Sequence, residues 1–85
     1  MEFGNWKLTM PPLPVINAKD LIRFLQFKGF EFVRQKGSHQ RYKHHDGRAI
    51  TVPVHGKDNL KRGLLNGILN ELNIDVEELI KFLQK

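Results

Sequence analysis

Two turn signals, Gly37-Ser38 and Asp46-Gly47, constrain the fold of this 85-residue chain more than any other feature. Asp-Gly between short segments is a strong hairpin signal. The segments around both turns alternate in polarity, as strands with one buried face do. Three strands are therefore predicted, over residues 30–36, 39–44 and 48–54.

Helical patterns flank the predicted strands on both sides. Asn17 and Gly29 suit the N-cap and the C′ position of a first helix. Apolar residues at helical spacing predict a second helix over about residues 60–72. Asp75, followed three residues later by Glu78, predicts a capping box that opens a third helix.

This order of elements predicts an α+β fold, with an α-β-β-β-α(α) chain and helices on one face of a three-stranded antiparallel sheet. The other face is left to solvent or to a ligand, and the Lys, Arg and His side chains have to lie there. Residues 13–85 form this single domain, and residues 1–12 are predicted to be an extended or disordered segment. Gly63 and Gly67 within the second helix cost about 1 kcal/mol each relative to alanine, which predicts close backbone approach to the sheet or to a partner.

Composition excludes several classes of protein. The chain has no cysteine, which excludes disulfides and thiolate metal sites and favours a reducing, cytoplasmic compartment. No apolar run approaches the roughly 20 residues of a membrane span, so no membrane association is expected. A domain of this size has no room for a deep pocket and a cofactor domain, and no cofactor is predicted.

The net charge of +5 is unevenly distributed along the chain. Residues 28–48 carry six cations against Glu31 and Asp46, while residues 71–85 carry more carboxylates than cations. The six are Lys28, Arg34, Lys36, Arg41, Lys43 and Arg48. A basic centre favours a polyanionic partner, although a merely solvated basic surface is the alternative.

His39 is the candidate catalytic residue. It follows the Gly37-Ser38 turn, in a stretch of ten residues, 34–43, that has four cations and no carboxylate. Imidazole can transfer protons near neutral pH, and cations stabilise the charge that develops on a reacting phosphodiester. RNA supplies its own nucleophile, the 2′-hydroxyl, so this surface could cleave RNA without a metal. Alternatively, His39 is a solvated strand residue or only contacts phosphate.

The other candidate residues are weaker. Adjacent histidines on a strand point to opposite faces, so His44 and His45 do not readily share a metal ion, and no metal site is predicted. His55 could be a second titrating group near the rim of the sheet, or a solvated turn residue. Tyr42 could stack on a base or be a half-buried strand residue. Ser38 is predicted to shape the turn.

Taken together, these residues resemble the HicA toxin family, mRNA interferases of bacterial and archaeal toxin–antitoxin pairs. The resemblance spans residues 13–83. It rests on Lys28-Gly29-Phe30, on Val33 through His39, and on Thr51-Val52-Pro53-Val54-His55-Gly56. It implies a fold like that of double-stranded-RNA-binding domains, ribosome-independent cleavage of mRNA, and His39 as the catalytic residue. It also implies a HicB-type antitoxin that covers this histidine.

The leading hypothesis is therefore a metal-independent mRNA endoribonuclease. His39 is the predicted general base or acid, and the predicted RNA-binding residues are Lys36, Gly37, Ser38, Arg41, Lys43, Arg34 and Arg48, with His55 and Tyr42 as auxiliary candidates. One alternative is a non-catalytic RNA-binding module with a basic sheet face. Another is a protein-interaction domain whose basic face docks an acidic partner.

Overall fold

The computed structural model describes residues 13–54 and 56–84 of the chain. In order, these form helix α1 (Ala18–Phe27), strands β1 (Glu31–Lys36), β2 (His39–Lys43) and β3 (Ala49–Pro53), and helices α2 (Arg62–Glu71) and α3 (Val76–Leu83). The predicted α+β class and order of elements are confirmed. The predicted N-terminal segment, residues 1–12, lies outside the described residues, as does His55.

Helix α1 begins and ends as its capping residues predict. The Asn17 side chain accepts a hydrogen bond of 2.9 Å from the backbone N–H of Asp20, which satisfies one of the free donors of the first turn. Beyond the helix, Gly29 has a φ of +99°, in the region that favours glycine. A Cβ at this position would lie 3.0 Å from His44 Nε2. Backbone conformation and lack of room therefore both require glycine here.

The three strands form one antiparallel sheet in the order β1-β2-β3. The short turns at Gly37-Ser38 and Asp46-Gly47 make each strand the neighbour of the next. Along the β2–β3 pair, His39 lies opposite Pro53 and Lys43 lies opposite Ala49. One end of the sheet thus carries the Gly37-Ser38 turn and His39, and the other end carries the β2–β3 hairpin.

A β-bulge interrupts the β1–β2 pair. Phe32 lies opposite Tyr42, but the next paired residue of β1 is Arg34, opposite Arg41, so Val33 is an extra residue. Regular alternation would place Arg34 on the same face as Phe32. Because of the extra residue, Phe32 and Arg34 lie on opposite faces of the sheet.

The helices cover one face of the sheet and bury one core. Its buried members are Ile16, Leu21, Phe24, Leu25, Phe30, Tyr42, Ile50, Val52, Leu65, Ile68, Leu69, Leu72, Ile74, Val76 and Leu79. Tyr42 is the β2 contribution and Ile50 and Val52 are the β3 contribution, so the face that carries these residues is the inner one. The opposite face, which carries His39 and Arg41, is called the open face below. No described helix is long and apolar enough to cross a membrane.

Helix α2 begins at Arg62, slightly later than predicted. The N–H of Leu60 donates to the carbonyl of Ile16 at 2.8 Å, which holds this residue outside the helix. The predicted close approach of the sheet to the two helix glycines is wrong. A Cβ at Gly63 or at Gly67 would meet nothing within 4 Å, and both residues are exposed.

Helix α3 opens with the predicted capping box, which is confirmed. Asp75 and Glu78 bond each other's backbone N–H reciprocally, with 3.4 Å from the Asp75 nitrogen to Glu78 Oε2. Glu78 also forms an ion pair with Lys28, and the hydrogen bond from that ammonium lowers the pKa of the Glu78 carboxyl. The start of α3 is thereby tied to the end of α1.

Candidate nucleic-acid interface

A shallow cleft of about 520 Å³ opens on the open face, at the end that carries the first turn. Its lining residues, named here the basic cleft, are Arg34, Lys36, Gly37, Ser38, His39, Arg41 and Thr51. Six of the seven were predicted as site residues from the sequence, and the fold brings them together.

The turn that precedes His39 is held from both sides. Gly37 has a φ of +59°, as the first central residue of a two-residue type II′ hairpin turn requires. Gln35 Nε2 donates to the Gly37 carbonyl at 2.9 Å. The N–H of Val54 donates to the Ser38 carbonyl at 2.7 Å. Because both carbonyls are bonded, His39 starts its strand from a fixed backbone.

A chain of side-chain hydrogen bonds connects this turn to the core. The Tyr42 hydroxyl donates to Gln40 Oε1 at 2.7 Å, and Gln40 Nε2 donates to Gln35 Oε1 at 3.0 Å. Tyr42 is only 3% exposed, and its burial raises the pKa of the phenol. The suggestion that Tyr42 stacks on a base is therefore wrong. The ring packs in the core because alternation along β2 turns it away from His39, and its hydroxyl supports the turn.

Cations occupy the basic cleft without compensating charge. Lys36 lies opposite His39, and Arg34 lies opposite Arg41, so all four side chains share the open face. Opposite residues have Cβ atoms about 5 Å apart. The ion pairs of the described residues lie elsewhere and involve none of these four. This charge is consequently available to an anionic ligand.

His39 itself is exposed at the first position of β2. In the part of the chain that the structure describes, no side chain forms a hydrogen bond or an ion pair with its imidazole. Lys36 on one side and Pro53 on the other are its cross-strand neighbours. Both ring nitrogens are therefore open to a ligand that enters the basic cleft.

Lys43 lies on the open face but outside the basic cleft. It is four residues from His39 along β2, about 14 Å at the usual strand rise, and its partner across the strands is Glu31. Its prediction as an RNA-binding residue therefore does not extend to the phosphate beside His39. It could contact only a more distant part of an RNA strand.

Arg48 does not extend the basic surface, and that prediction is wrong. Its guanidinium donates to the carbonyl of Leu72 at 2.6 Å, pairs with Asp46 at 2.9 Å, and lies 5.2 Å from the centre of the Phe30 ring. The hydrogen bond from Arg48 lowers the pKa of Asp46 to about 2. Arg48 therefore joins the β2–β3 hairpin to the end of α2, at the far end of the sheet from His39.

His44 is likewise engaged within the fold. Its Nε2 lies 3.1 Å from the Lys28 carbonyl, and its Nδ1 accepts from the backbone N–H of Asp46 at 3.1 Å. His45 stacks on it, with ring centres 4.4 Å apart. Among the described residues no three His, Asp or Glu side chains are grouped as metal ligands would be. The remaining histidine, His55, lies outside the described residues.

The sequence interpretation missed three residues of this region. Thr51 lies opposite Arg41, and its Oγ1 accepts a hydrogen bond from Arg41 Nη1 at 2.9 Å. Gln35 and Gln40 support the turn. The loop between β2 and β3 has three residues, 45–47, because the N–H of His44 donates to the Arg48 carbonyl. Counting outward from this loop places Thr51 opposite Arg41, whereas a two-residue Asp46-Gly47 turn would place Val52 there. Counting outward from the Gly37-Ser38 turn likewise places Gln35 opposite Gln40, but the side-chain hydrogen bonds by which they support the turn carried no sequence signal.

The fold and the cleft together define a class: small α+β domains that present a histidine among cations on the uncovered face of a three-stranded sheet. The sequence model of one family, the HicA toxin of bacterial toxin-antitoxin systems, matches residues 18–74 of the chain. The match covers more than half of the chain, so this protein belongs to the HicA toxin family. No curated protein matches it.

Membership of this family carries a general functional meaning. The family's toxins act in toxin–antitoxin systems and are generally ribonucleases. Toxins of this family therefore have, in general, a cognate antitoxin and an RNA target. The matched residues include α1, the whole sheet and α2, and thus the basic cleft, while α3 lies beyond them.

Proposed function

We propose that this protein is a metal-independent endoribonuclease that cleaves mRNA, with His39 as its catalytic residue. The observation that carries the proposal is the position of His39: exposed on the open face, without a partner among the described residues, and opposite Lys36 in the basic cleft. A histidine needed only for folding would be bonded internally, as His44 is.

The chemistry that suits this site is an internal transesterification. The 2′-oxygen of the substrate attacks the adjacent phosphorus as its proton leaves, and the bond from phosphorus to the 5′-oxygen breaks as that oxygen gains a proton. The products are a 2′,3′-cyclic phosphate and a 5′-hydroxyl. His39 takes one of the two protons or supplies the other, a contribution typically worth about 10²–10⁴-fold in rate.

The cations around His39 would stabilise the negative charge that builds on the non-bridging oxygens in the transition state. Lys36 is placed closest to His39, directly across the strands. Gly37 and Ser38 fix the backbone of the turn, because their carbonyls accept hydrogen bonds from Gln35 and Val54. These groups are on strands and a short turn, which hold geometry better than a long loop.

The cognate antitoxin is proposed to be a HicB-type protein that covers His39. A toxin with an open, preformed cleft needs a partner that blocks it until release. The basic cleft predicts that the covering segment presents carboxylates. Charges of opposite sign on the two surfaces speed association and fix how the two proteins align.

The test is cleavage of RNA in EDTA by the wild-type protein and by His39→Ala. Cleavage by the wild type, with cyclic phosphate ends, and its loss in His39→Ala are expected. His45→Ala is the matched control, since His45 is also exposed but lies at the hairpin end of the sheet. A DNA strand of the same sequence should resist cleavage.

Full activity of folded His39→Ala would overturn the assignment, and activity that EDTA abolishes would overturn metal independence. RNA that binds in a salt-sensitive manner without product accumulation would favour the non-catalytic RNA-binding module. Thermal unfolding of each variant establishes that the substitution leaves the fold intact.

A further inference from the structure

The charged side chains of the basic cleft stand in two rows across β1 and β2. Lys36 and His39 form one row, and Arg34 and Arg41 form the other. The rows are two residues apart along each strand, about 7 Å at the usual rise of a strand. Successive phosphates of an extended single strand are separated by a distance of this size. The two rows therefore match two neighbouring phosphates.

Folding alone does not account for the arginine row. Like charges directly opposite each other destabilise an antiparallel pair, and neither Arg34 nor Arg41 has an ion-pair partner among the described residues. The turn at Gly37-Ser38 fixes the juxtaposition, since Lys36 pairs with His39 and Arg34, two residues earlier, pairs with Arg41. A phosphate bound between the two guanidinium groups would remove the repulsion.

Arg41 is also oriented before any ligand arrives. Its Nη1 donates to Thr51 Oγ1 at 2.9 Å, across the β2–β3 pair. A guanidinium has five N–H donors in a rigid fork, so one bond to Thr51 leaves donors free for a phosphate. Holding the side chain in place beforehand reduces the entropy lost on binding.

We propose that Arg34, Arg41 and Thr51 form a second phosphate subsite, which holds the phosphate next to the scissile one. The preferred substrate is then a single RNA strand with a charged diester on one particular side of the cleaved bond. This inference rests on the proposed function for the location of the scissile phosphate, beside His39 and Lys36. Thr51 is a positioning residue that acts through Arg41.

The test pairs a change in the substrate with a change in the protein. Each substrate contains one ribonucleotide at a site that the protein cleaves, and all other nucleotides are 2′-O-methylated. In one version the linkage before the cleaved one is replaced by a neutral methylphosphonate, and in another version the linkage after it is replaced. For the wild-type protein, kcat/KM should fall about tenfold or more when the linkage on one of the two sides is neutral, as expected for the loss of a charge-assisted hydrogen bond.

In the double variant Arg34→Gln, Arg41→Gln that penalty should shrink to less than about twofold, because the subsite is already lost. Thr51→Val keeps the shape of the side chain and should reduce the penalty partly, through KM more than kcat. Lys43→Gln removes one charge from the same face outside the basic cleft, so it should retain the full penalty. The double variant should unfold at the wild-type temperature or higher, since a repulsion is removed.

Equal penalties in the wild type and in the double variant, or no penalty on either side, would overturn the subsite. Failure of the enzyme assignment is distinguished by a binding measurement on a fully 2′-O-methylated strand, which has no nucleophile. Suppose that the wild type does not cleave RNA, and that the neutral linkage weakens RNA binding by the wild type but not by the double variant. That result would support the subsite and overturn the catalytic assignment. Absence of this coupling in binding would overturn the subsite independently of cleavage.

Discussion

The dependence of RNA binding on salt provides a quantitative test of the basic cleft. Three permanently charged side chains face the cleft: Arg34, Lys36 and Arg41. Each phosphate neutralised on a single strand contributes about −0.7 to the slope of log K against log salt concentration, so the cleft predicts a slope of about −2. Raising the salt from about 50 to about 200 mM would then lower the affinity roughly 18-fold.

Replacing Lys36 by Gln should lower this slope to about −1.4, and the same change in salt should then reduce affinity only about sevenfold. The measurement is a titration of a fluorescent, fully 2′-O-methylated strand at several salt concentrations, so that no cleavage intervenes. Lys81→Gln is the matched control, because Lys81 is exposed on α3, a helix whose Phe82 ring packs on Phe24 of α1 rather than on the open face.

Two results would refute this reasoning. A Lys36→Gln slope equal to that of the wild type would mean that Lys36 contacts no phosphate. An equal decrease in Lys81→Gln would mean that RNA binds through overall charge rather than through the basic cleft. A wild-type slope much steeper than −2 would require contacts beyond the cleft, with Lys43 as the first candidate on the open face.

Three further predictions concern stability. Gly29→Ala combines a left-handed φ with a Cβ 3.0 Å from His44 Nε2. It should cost about 2–3 kcal/mol, seen as a fall in Tm of roughly 10–20 °C; an unchanged Tm would contradict the close approach. Gly67→Ala should stabilise α2 by about 1 kcal/mol in urea unfolding, because its Cβ would meet nothing within 4 Å, and a loss of stability would indicate a missed contact. In the folded protein, Arg48 lowers the pKa of Asp46 to about 2. The stability that the Asp46 carboxylate contributes is therefore complete above the unfolded pKa and is lost as the pH falls through about 2. Asp46→Asn should therefore show a smaller fall in Tm between about pH 4 and pH 2 than the wild type, and identical pH profiles would contradict this.

Local sequence patterns were sufficient for the elements and for most of their ends; the start of α2 was the exception, because Leu60 bonds the distant Ile16 carbonyl. Asn17 and Asp75 begin helices, Gly29 follows the end of one, and Gly37 and Gly47 mark the turns. Each acts through hydrogen bonds or backbone angles within a few residues, so the sequence alone reveals it. The placement of His39 among cations was predictable in the same way, because most of its neighbours in the cleft are also its neighbours along the chain.

Side-chain partners distant in sequence were not predictable by this reasoning. Arg48 resembled the other cations of the basic centre, yet it bonds the carbonyl of Leu72, 24 residues away. The carboxylate of Asp46, two residues away, is a local feature that the other cations lack, but nothing local indicates the bond to Leu72. For the same reason, Thr51 was overlooked, since its role depends on a cross-strand bond to Arg41.

The sequence by itself determined the order of helices and strands, the turn before His39 and the concentration of positive charge around it. Only the tertiary structure decided which face of the sheet the helices cover, and that Arg48 leaves the basic surface to bond the Leu72 carbonyl. It also decided the face of the first residues of β1. The turn at Gly37-Ser38 pairs Lys36 with His39 and Arg34 with Arg41, whereas the bulge at Val33 puts Phe32 opposite Tyr42 on the inner face. Because side chains alternate with a period of two, a single extra residue reverses the face of all those beyond it.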